Sequence, residues 1–422
     1  MNKKTENKAV SPWQWVPSLY FAQGIPYVVV MSVAVILFKR MGMSNTDIAL
    51  YTSGLNLPWV IKPLWSPLVD LLKTKRWWIV VMQILVGAGL AGIALTIQGP
   101  LAFRYCLAFM WLLAFSSATH DIAADGFYML GLNEKKQAYF VGIRNTFYRF
   151  AVIFGQGILV MFAGWLEQRY AREMPETAAI PQAWSLTFYL LTILFALLFV
   201  YHYLFLPHPR RDTCTLPPQQ ASAGRVFKEF LGTFTSFFQK KHIVSALIFI
   251  LLYRFAEAQL VKITSPFLLD TPATGGLALS TAEVGFIYGT IGVIALTIGG
   301  IVGGIAMARR GLKSCLWTMT IAMNLPNIVY LYLSFARPES IGIISGCVAI
   351  EQFGYGFGFT SLTYFMMLFS NGKHQTAHYA ICTGFMALGL MLPGMISGWI
   401  EESIGYRAFF VWIMLCTIPS FW

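Results

Sequence analysis

The chain has 422 residues, of which 57% are hydrophobic and 11% charged, whereas a soluble domain has about 25% charged residues. This composition excludes an ordinary soluble protein and indicates a membrane protein. The net charge of +12 is not gathered into a basic run long enough to contact nucleic acid, so no nucleic-acid partner is expected. The six cysteines are scattered without a Cys-x-x-Cys pair, which predicts neither a disulfide framework nor a metal site.

Apolar runs of roughly 18–25 residues, each long enough to cross a bilayer, follow one another along the chain. The pattern predicts twelve spans, at 16–38, 47–69, 77–97, 102–123, 139–163, 185–206, 243–268, 283–306, 315–335, 341–369, 379–400 and 408–422. The last span would be about 22 Å of helix against a hydrocarbon core of about 30 Å, so a truncated final span is expected. The fold class is therefore an all-α membrane protein.

Lysines and arginines are distributed unequally between the two alternating sets of connections. One set, which includes both chain ends, holds 19 of these cations and the other set holds 7. Because cytoplasmic loops carry the excess of Lys and Arg, both termini are predicted to lie in the cytoplasm.

The longest connection, 207–242, divides the chain into two sets of six spans, 1–206 and 243–422. It begins with a Pro-rich linker, and its Phe-rich stretch 225–241 has basic ends that are typical of a helix lying in the membrane interface.

The two halves share short motifs. Met43-Ser-Asn-Thr-Asp-Ile opens the second span and Leu279-Ser-Thr-Ala-Glu-Val opens the eighth, and both have capping-box spacing. Gly164-Trp-Leu-Glu closes the fifth span as Gly398-Trp-Ile-Glu closes the eleventh. Two six-helix bundles related as parallel repeats are a transporter architecture.

The seventh span carries Arg254, Glu257 and Lys262 in its middle. A charge at that depth costs at least ~2.5 kcal/mol, so these side chains must face protein or water. At ~100° per residue, one helix face can present all three, which predicts a polar cavity between helices.

Four ionisable residues lie close to the predicted bilayer midplane, namely Arg149, Arg254, Glu257 and Glu351. They are candidates for a substrate or proton site because such groups are costly inside a membrane. The alternative is a structural ion pair, for which Arg254 and Glu257 have the i,i+3 spacing.

Three further charges lie nearer the cytoplasmic side. Lys62 either faces the cavity or extends its amine to the surface. Asp121 and Asp125 end the fourth span at i,i+4, where the helix dipole disfavours carboxylates, so basic loop residues or His120 are their expected partners. A gating or proton-relay role and a plain ion pair both remain open.

The turn between the second and third spans combines Asp70 with Lys73, Lys75 and Arg76. Such a turn can hold helix ends together in one conformation and release them in another. Simple anchoring by the cations is the alternative, although it does not explain the aspartate.

A Gly-rich stretch, 351–360, places aromatic rings, Tyr355 among them, beside a glutamate, and sugars stack on such rings. The sequence has no Walker motif, HExxH, nucleophile elbow or kinase signature, and no nucleophile–base pair at depth. It therefore predicts neither an enzyme nor a cofactor.

Several motifs resemble those of the muropeptide permease (AmpG-type) branch of the major facilitator superfamily, which includes acetyl-CoA transporter relatives. The matching segments are Gly24-Ile-Pro, Ile61-Lys-Pro-Leu-Trp-Ser-Pro-Leu-Val-Asp, Asp121-Ile-Ala-Ala-Asp, Tyr148-Arg149, Leu252-Tyr-Arg-Phe-Ala-Glu and Glu351-Gln-Phe-Gly-Tyr-Gly-Phe-Gly. This resemblance implies the twelve-helix major facilitator fold. It also implies a proton-coupled importer of cell-wall-derived GlcNAc-anhydro-muramyl sugars and peptides in the bacterial inner membrane.

The charged candidates fall on family positions, except that Lys262 stands where relatives are polar but neutral. We expect Arg149 and Arg254 to hold substrate carboxylates, assisted by Lys62, Lys262 and Tyr355. Glu257 or Glu351 is expected to take the driving proton, with Asp121 and Asp125 as further proton-coupling candidates. Two alternatives stay open: a transporter whose cargo is another sugar or an acyl-CoA-like anion, and a membrane-embedded sensor.

Overall fold

The computed structural model describes residues 10–209, 212, 231–232, 234–371 and 375–421, and within these ranges the regular structure is entirely helical. Eight continuous helical stretches are long and apolar enough to cross a membrane. Two of these stretches each reverse direction and so account for two spans each. Two further helical segments, at 45–72 and 341–369, are not among the eight. Together the described residues form the twelve predicted spans.

The first half contains α1 to α6. Helices α1 and α5 each include a short π-helical turn, at Val29–Val33 and Ile153–Ile158, and α2 is interrupted after Gly54. The bounds are α1 Pro12–Arg40, α2 Asn45–Gly54 and Leu57–Leu72, α3 Lys75–Thr96, α4 Ala102–Gly131, α5 Glu134–Val152 and Leu159–Tyr170 around its π-turn, and α6 Glu176–Phe205.

The second half begins with α7, which is formed by Ile243–Leu252 and Phe255–Leu269. The run Thr281–Ala336 has 56 residues. As one straight helix it would measure about 84 Å, far more than a bilayer. It reverses instead at Gly311, whose φ of 74° ends the helical geometry, giving α8 (281–310) and α9 (312–336).

The remaining three spans contain one further reversal of this kind. Helix α10 is Ile341–Phe369. The long run Gln375–Cys416 is divided by Gly405, with φ 77°, into α11 (375–404) and α12 (406–416), and a 3-10 turn, Ile418–Phe421, follows. Glycine suits both reversals because a positive φ carries no penalty for a residue without a Cβ.

The capped helix starts expected from the repeated motifs are confirmed. The Ser44 hydroxyl accepts the Asp47 amide at 3.0 Å, and α2 begins at Asn45. Ser280 and Glu283 form a reciprocal capping box at the start of α8. We call the membrane side of these two helix starts the distal face, and the side that carries residue 10 and the 206–243 connection the terminal face.

The repeated motifs meet across the two halves at the distal face. A side chain at Gly398 would begin 2.0 Å from the carbonyl oxygen of Asn45, and one at Gly164 would begin 2.3 Å from the Ala282 nitrogen. Only glycine permits backbones to approach this closely. Each Gly-Trp-x-Glu motif therefore packs on the capped helix start of the opposite half.

Part of the predicted interfacial helix, 225–230 and residue 233, lies outside the described residues. Residues 231–232 and 234–238 are helical. The Phe237 side chain is fully buried between Phe369 and Phe385, and the Lys240 amine donates to the carbonyl of Phe369 at 2.7 Å. This end of the linker packs against the second half rather than lying free in the interface.

Candidate functional site

Arg254 lies where α7 is broken, and it opens the second segment of that helix with non-helical φ and ψ of −109° and 21°. Its guanidinium lies over the rings of Tyr355 and Phe359, 5.1 and 5.0 Å from the ring centroids, and donates a hydrogen bond to the Tyr355 hydroxyl. Among the described residues, its Nε atom has no hydrogen-bond partner. The guanidinium is thus held by two aromatic rings with donor capacity left over.

Two glutamates are buried beside this arginine. The Glu351 Oε2 atom accepts from the Tyr330 hydroxyl at 3.1 Å and from the Gln352 amide at 2.9 Å. The Oε1 atom of Glu351 and the Oε2 atom of Glu257 have no hydrogen-bond partner in the described part of the chain. The two carboxyl groups lie within electrostatic range of each other, and Glu257 also within range of Arg254. No ion pair within 4 Å joins Arg254 and Glu257 among the described residues, so the i,i+3 ion pair is not formed.

The structure brings Arg149 and Arg254 to one place, although they belong to different halves. Both arginines lie within electrostatic range of Tyr27 and Tyr355. These side chains come from α1, α5, α7 and α10, and Arg149 is half-buried. Polar and ionisable side chains of both six-helix bundles thus lie together, in what we call the polar centre, while the cavity expected between the helices stays a prediction.

Tyr355 and, within a family motif, Tyr148 were identified from the sequence, whereas Tyr27, Trp59 and Tyr288 at this centre were not. Tyr27 packs edge-on against Trp59 at 5.2 Å and lies 6.5 Å from Tyr148. Tyr288 lies within electrostatic range of Glu257 and Glu351. No periodic signal marks these aromatics in the sequence, because most aromatics of a membrane protein face lipid or the interface.

Lys62 and Asp121 meet within the first half. The Lys62 amine and the Trp59 indole each lie 3.3 Å from the Asp121 Oδ2 atom. Lys62 therefore contacts an acid on α4 instead of extending to the surface.

Asp125 has partners of its own. Its Oδ1 atom accepts from the Tyr20 hydroxyl at 3.0 Å and lies 3.4 Å from the Arg144 guanidinium, which is also 4.8 Å from the Tyr20 ring centroid. The predicted partner His120 is instead hydrogen-bonded to Gln83 at 3.1 Å. The basic partner was predicted, while the tyrosine was not.

The structure does not bring Lys262 together with Arg254. The α7 helix is broken before Phe255, and the Lys262 amine donates to the Thr52 hydroxyl of α2 at 3.3 Å, while Arg254 contacts Tyr355 and Phe359. The expectation that one face of α7 presents all three charges stays a prediction, although the helix that carries them is not continuous.

The predicted turn between α2 and α3 makes its described contacts inside the first half. Arg76 donates to the carbonyl oxygens of Tyr203 and Leu206, and the Lys73 amine lies 6.0 Å from the Trp77 ring centroid. The side chain of Asp70 lies outside the described part of the structure. A latch between helix ends at this turn stays a prediction.

The two halves are joined at the distal face by a polar cluster that sequence reasoning missed. Lys39 donates to Asp270 and to Asn45, each at 2.7 Å. The Asn45 amide donates to Glu401 at 2.6 Å and to the Tyr406 hydroxyl at 2.8 Å. We call this cluster, together with the contacts Thr46–Glu402 and Thr281–Glu167, the distal seam.

Hydrogen bonds between described residues of the two halves occur in the distal seam and at the Lys262–Thr52 contact. The distal face is therefore the side on which the bundles are tied together. The repeated Gly-Trp-x-Glu motifs were the available signal, since Glu167 and Glu401 end them.

Residues 18–375 match the family profile of the Major Facilitator Superfamily. A relative named "Putative transporter AmpG 4" from Rickettsia conorii is 25% identical over 413 residues, covering 95% of this chain and 93% of that protein. An "Anhydromuropeptide permease" of Escherichia coli strain K12 is 24% identical over 409 residues, covering 95% of this chain and 77% of that protein.

Solved structures share the fold. The nucleoside transporter NupG superposes with a TM-score of 0.70 at 15% identity, covering 97% of this chain and 97% of the other. A D-xylose-proton symporter superposes with a TM-score of 0.68 at 12% identity, covering 97% and 96%.

Proposed function

Since the chain belongs to the major facilitator superfamily and is a multi-pass membrane transporter rather than an enzyme, we propose that it imports an anionic amino sugar or peptide-sugar of the GlcNAc-anhydro-muramyl type by proton-coupled alternating access. Relatives named as anhydromuropeptide permeases support this cargo. Peptidoglycan recycling is the process that such an importer serves.

The observation that carries the proposal is the convergence of Arg149 and Arg254 from opposite halves on Tyr27 and Tyr355. A cargo bound there contacts both bundles at once, as alternating access requires. The two guanidinium groups suit planar carboxylates, and the tyrosine rings suit the faces of sugars. Lys62 and Lys262 are the further substrate-binding candidates.

Glu257 and Glu351 are the proposed proton carriers. Both are buried, and each has a carboxyl oxygen with no hydrogen-bond partner among the described residues. Because neither carboxyl group forms an ion pair within 4 Å among the described residues, each can take up or release a proton without losing a salt bridge. Asp121 and Asp125 already have basic partners, Lys62 and Arg144, which favours a relay or positioning role for them.

The membrane is proposed to be the bacterial inner membrane, with the terminal face and both termini in the cytoplasm and lipid around the bundles. The cation count of the connections supports this orientation. The distal face is then the outer side. Asp70, Lys73 and Arg76 are the proposed gate residues of the cytoplasmic side.

Uptake of radiolabelled GlcNAc-anhydroMurNAc into proteoliposomes, with and without a proton gradient, tests the proposal. We expect the gradient to drive accumulation, and Glu257→Gln to abolish driven uptake while sparing exchange of labelled for unlabelled cargo. Glu173→Gln, at a surface glutamate paired with Arg169, is the matched control and should behave like the wild type. Driven uptake by Glu257→Gln with an unchanged pH dependence would remove this glutamate from the mechanism.

Competition in the same vesicles identifies the cargo. Defined muropeptides, neutral sugars and acyl-CoA are added in excess of the labelled compound. Inhibition by muropeptides alone supports the proposed cargo, whereas inhibition by acyl-CoA alone would contradict it.

A further inference from the structure

Lys262 is a buried lysine that forms no ion pair with the described residues. The residue is 3% exposed, and its hydrogen-bond partner among the described residues is the Thr52 hydroxyl at 3.3 Å. No carboxylate of the described chain lies within 4 Å of its amine. Lys39, in the distal seam, differs in that its amine meets Asp270 at 2.7 Å.

The surroundings of Lys262 are formed by helices from both halves. Gly394 of α11 brings three backbones together here. A side chain at Gly394 would begin 2.6 Å from the Ser53 hydroxyl, 3.2 Å from the Ala258 carbonyl oxygen and 3.5 Å from the Cγ atom of Lys262. The Ser53 hydroxyl is also buried and has no partner among the described residues. Closing the distal seam thus presses α2 against the Lys262 ammonium.

This arrangement sets a condition on closure. An ammonium leaving water with one hydroxyl as partner loses more solvation than it regains. If the first half swung away at this face, α2 would carry Thr52 with it and the Lys262 amine would be exposed to the distal side. Closure of the distal face is therefore unfavourable at Lys262 unless a counter-charge is present.

We propose that Lys262 makes closure of the distal face depend on an anionic cargo, whose carboxylate supplies the missing counter-charge. Lys262 lies five residues beyond Glu257, about 7.5 Å farther along the helix axis toward the distal face. A cargo anchored at the polar centre reaches it with a carboxylate that points along α7 toward the distal face. This inference rests on the proposed function and adds a reason why an empty carrier, or one holding a neutral sugar, closes less readily.

The experiment measures closure directly. Ser53, which is fully buried, is replaced (Ser53→Cys) in a chain whose six native cysteines are changed to serine, and its labelling by a hydrophilic maleimide is followed in lipid nanodiscs. The probes are N-acetylmuramic acid and its methyl ester, which differ only in the carboxylate charge. Slow labelling reports a closed distal face.

With the wild-type Lys262, we expect the acid to slow labelling and the ester to have little effect. Lys262→Met should label at least about tenfold more slowly without cargo, because closure no longer buries a charge, and should not distinguish acid from ester. Thr52→Val, which removes the hydroxyl partner, should label faster than the wild type without cargo. Lys39→Met, the matched lysine with an acid partner, should also label faster.

The cargo-free comparison decides the role of Lys262 independently of the cargo. Equal labelling of Lys262→Met and the wild type without cargo would overturn the inference, as would slower labelling of Lys39→Met, since removal of any lysine would then favour closure. Should neither sugar protect the wild type while Lys262→Met still closes more readily, the dependence of closure on an anionic cargo is overturned; the uptake assay with GlcNAc-anhydroMurNAc decides the proposed cargo separately.

Discussion

The Arg254 guanidinium combines a charge with a fixed orientation, because the rings of Tyr355 and Phe359 lie on it. We expect Arg254→Lys to lower cargo uptake by at least about tenfold, since an ammonium neither stacks as a plane nor offers a planar pair of donors. Uptake at several cargo concentrations measures this effect. Lys313→Arg, on the surface, is the control for the reverse exchange. Unchanged uptake by Arg254→Lys would mean that only the charge matters.

The Lys62–Asp121 pair links α2 to α4 inside the first half. Lys62→Met and Asp121→Asn should each lower the free energy of unfolding, because each leaves the opposite charge unpaired away from bulk water. The double variant should recover part of that loss, with a coupling energy of about 0.5–3 kcal/mol. Thermal unfolding in detergent of the wild type, the two single variants and the double variant gives the four stabilities of this double-mutant cycle. Strictly additive losses would show that the pair contributes nothing as a pair.

Sequence reasoning located residues by depth and failed where direction mattered. The depth of Arg149, Arg254, Glu257 and Glu351 follows from counting residues along a helix. The break in α7 at Arg254 does not, because no proline or glycine marks it. Tyr27 and Tyr288 were missed for a similar reason, since lipid-facing and inward-facing aromatics look alike in a sequence.

At the scale of single elements, close approach across the distal face depends on glycine. Gly398→Ala would place a methyl group 2.0 Å from the Asn45 carbonyl oxygen and so push α11 away from α2. We expect a loss of about 1–3 kcal/mol in unfolding free energy. Gly346→Ala is the matched control, because no atom lies within 4 Å of the added methyl group, and alanine in an open helical position stabilises by about 0.5–1 kcal/mol.

Thermal unfolding of both variants measures these changes. If Gly398→Ala were as stable as Gly346→Ala, the helices would have to separate without loss. Helix starts were the easiest element feature to predict, since Ser44 and Ser280 carry their caps in the sequence. The π-helical turns in α1, α5 and α8 had no such signal, because they arise from packing between helices.

For the whole molecule, the ion pair between Lys39 and Asp270 ties the two bundles at one face. Lys39→Asp places two carboxylates together and should open the distal side, which the Ser53→Cys labelling rate reports as an increase. Adding Asp270→Lys restores an ion pair in the reverse order and should return the rate toward that of the parent. If Lys39→Asp alone were labelled at the parent rate, the other contacts of the distal seam would be the ones that keep the distal face closed.

The twelve spans and their division into two bundles followed from hydropathy and from the long connection. The face at which the two bundles are tied together did not follow, because hydropathy and cation counts carry no information on contacts between the bundles. Lys39, Arg40 and Arg407 looked like scattered loop cations until the fold placed Asp270 and Glu167 opposite two of them.

Because each repeated motif packs on the opposite half, the contacts between the two bundles follow the pattern of a two-fold symmetric homodimer, although both bundles belong to one polypeptide. Glu167 reaches Thr281, the first residue of α8, and Glu401 reaches Asn45, the first residue of α2. Each bundle thus contributes one Gly-Trp-x-Glu motif and one capped helix start to the interface. A substitution in one copy weakens one junction and leaves its counterpart intact, so the join between the bundles has a redundancy that an interface without internal symmetry lacks.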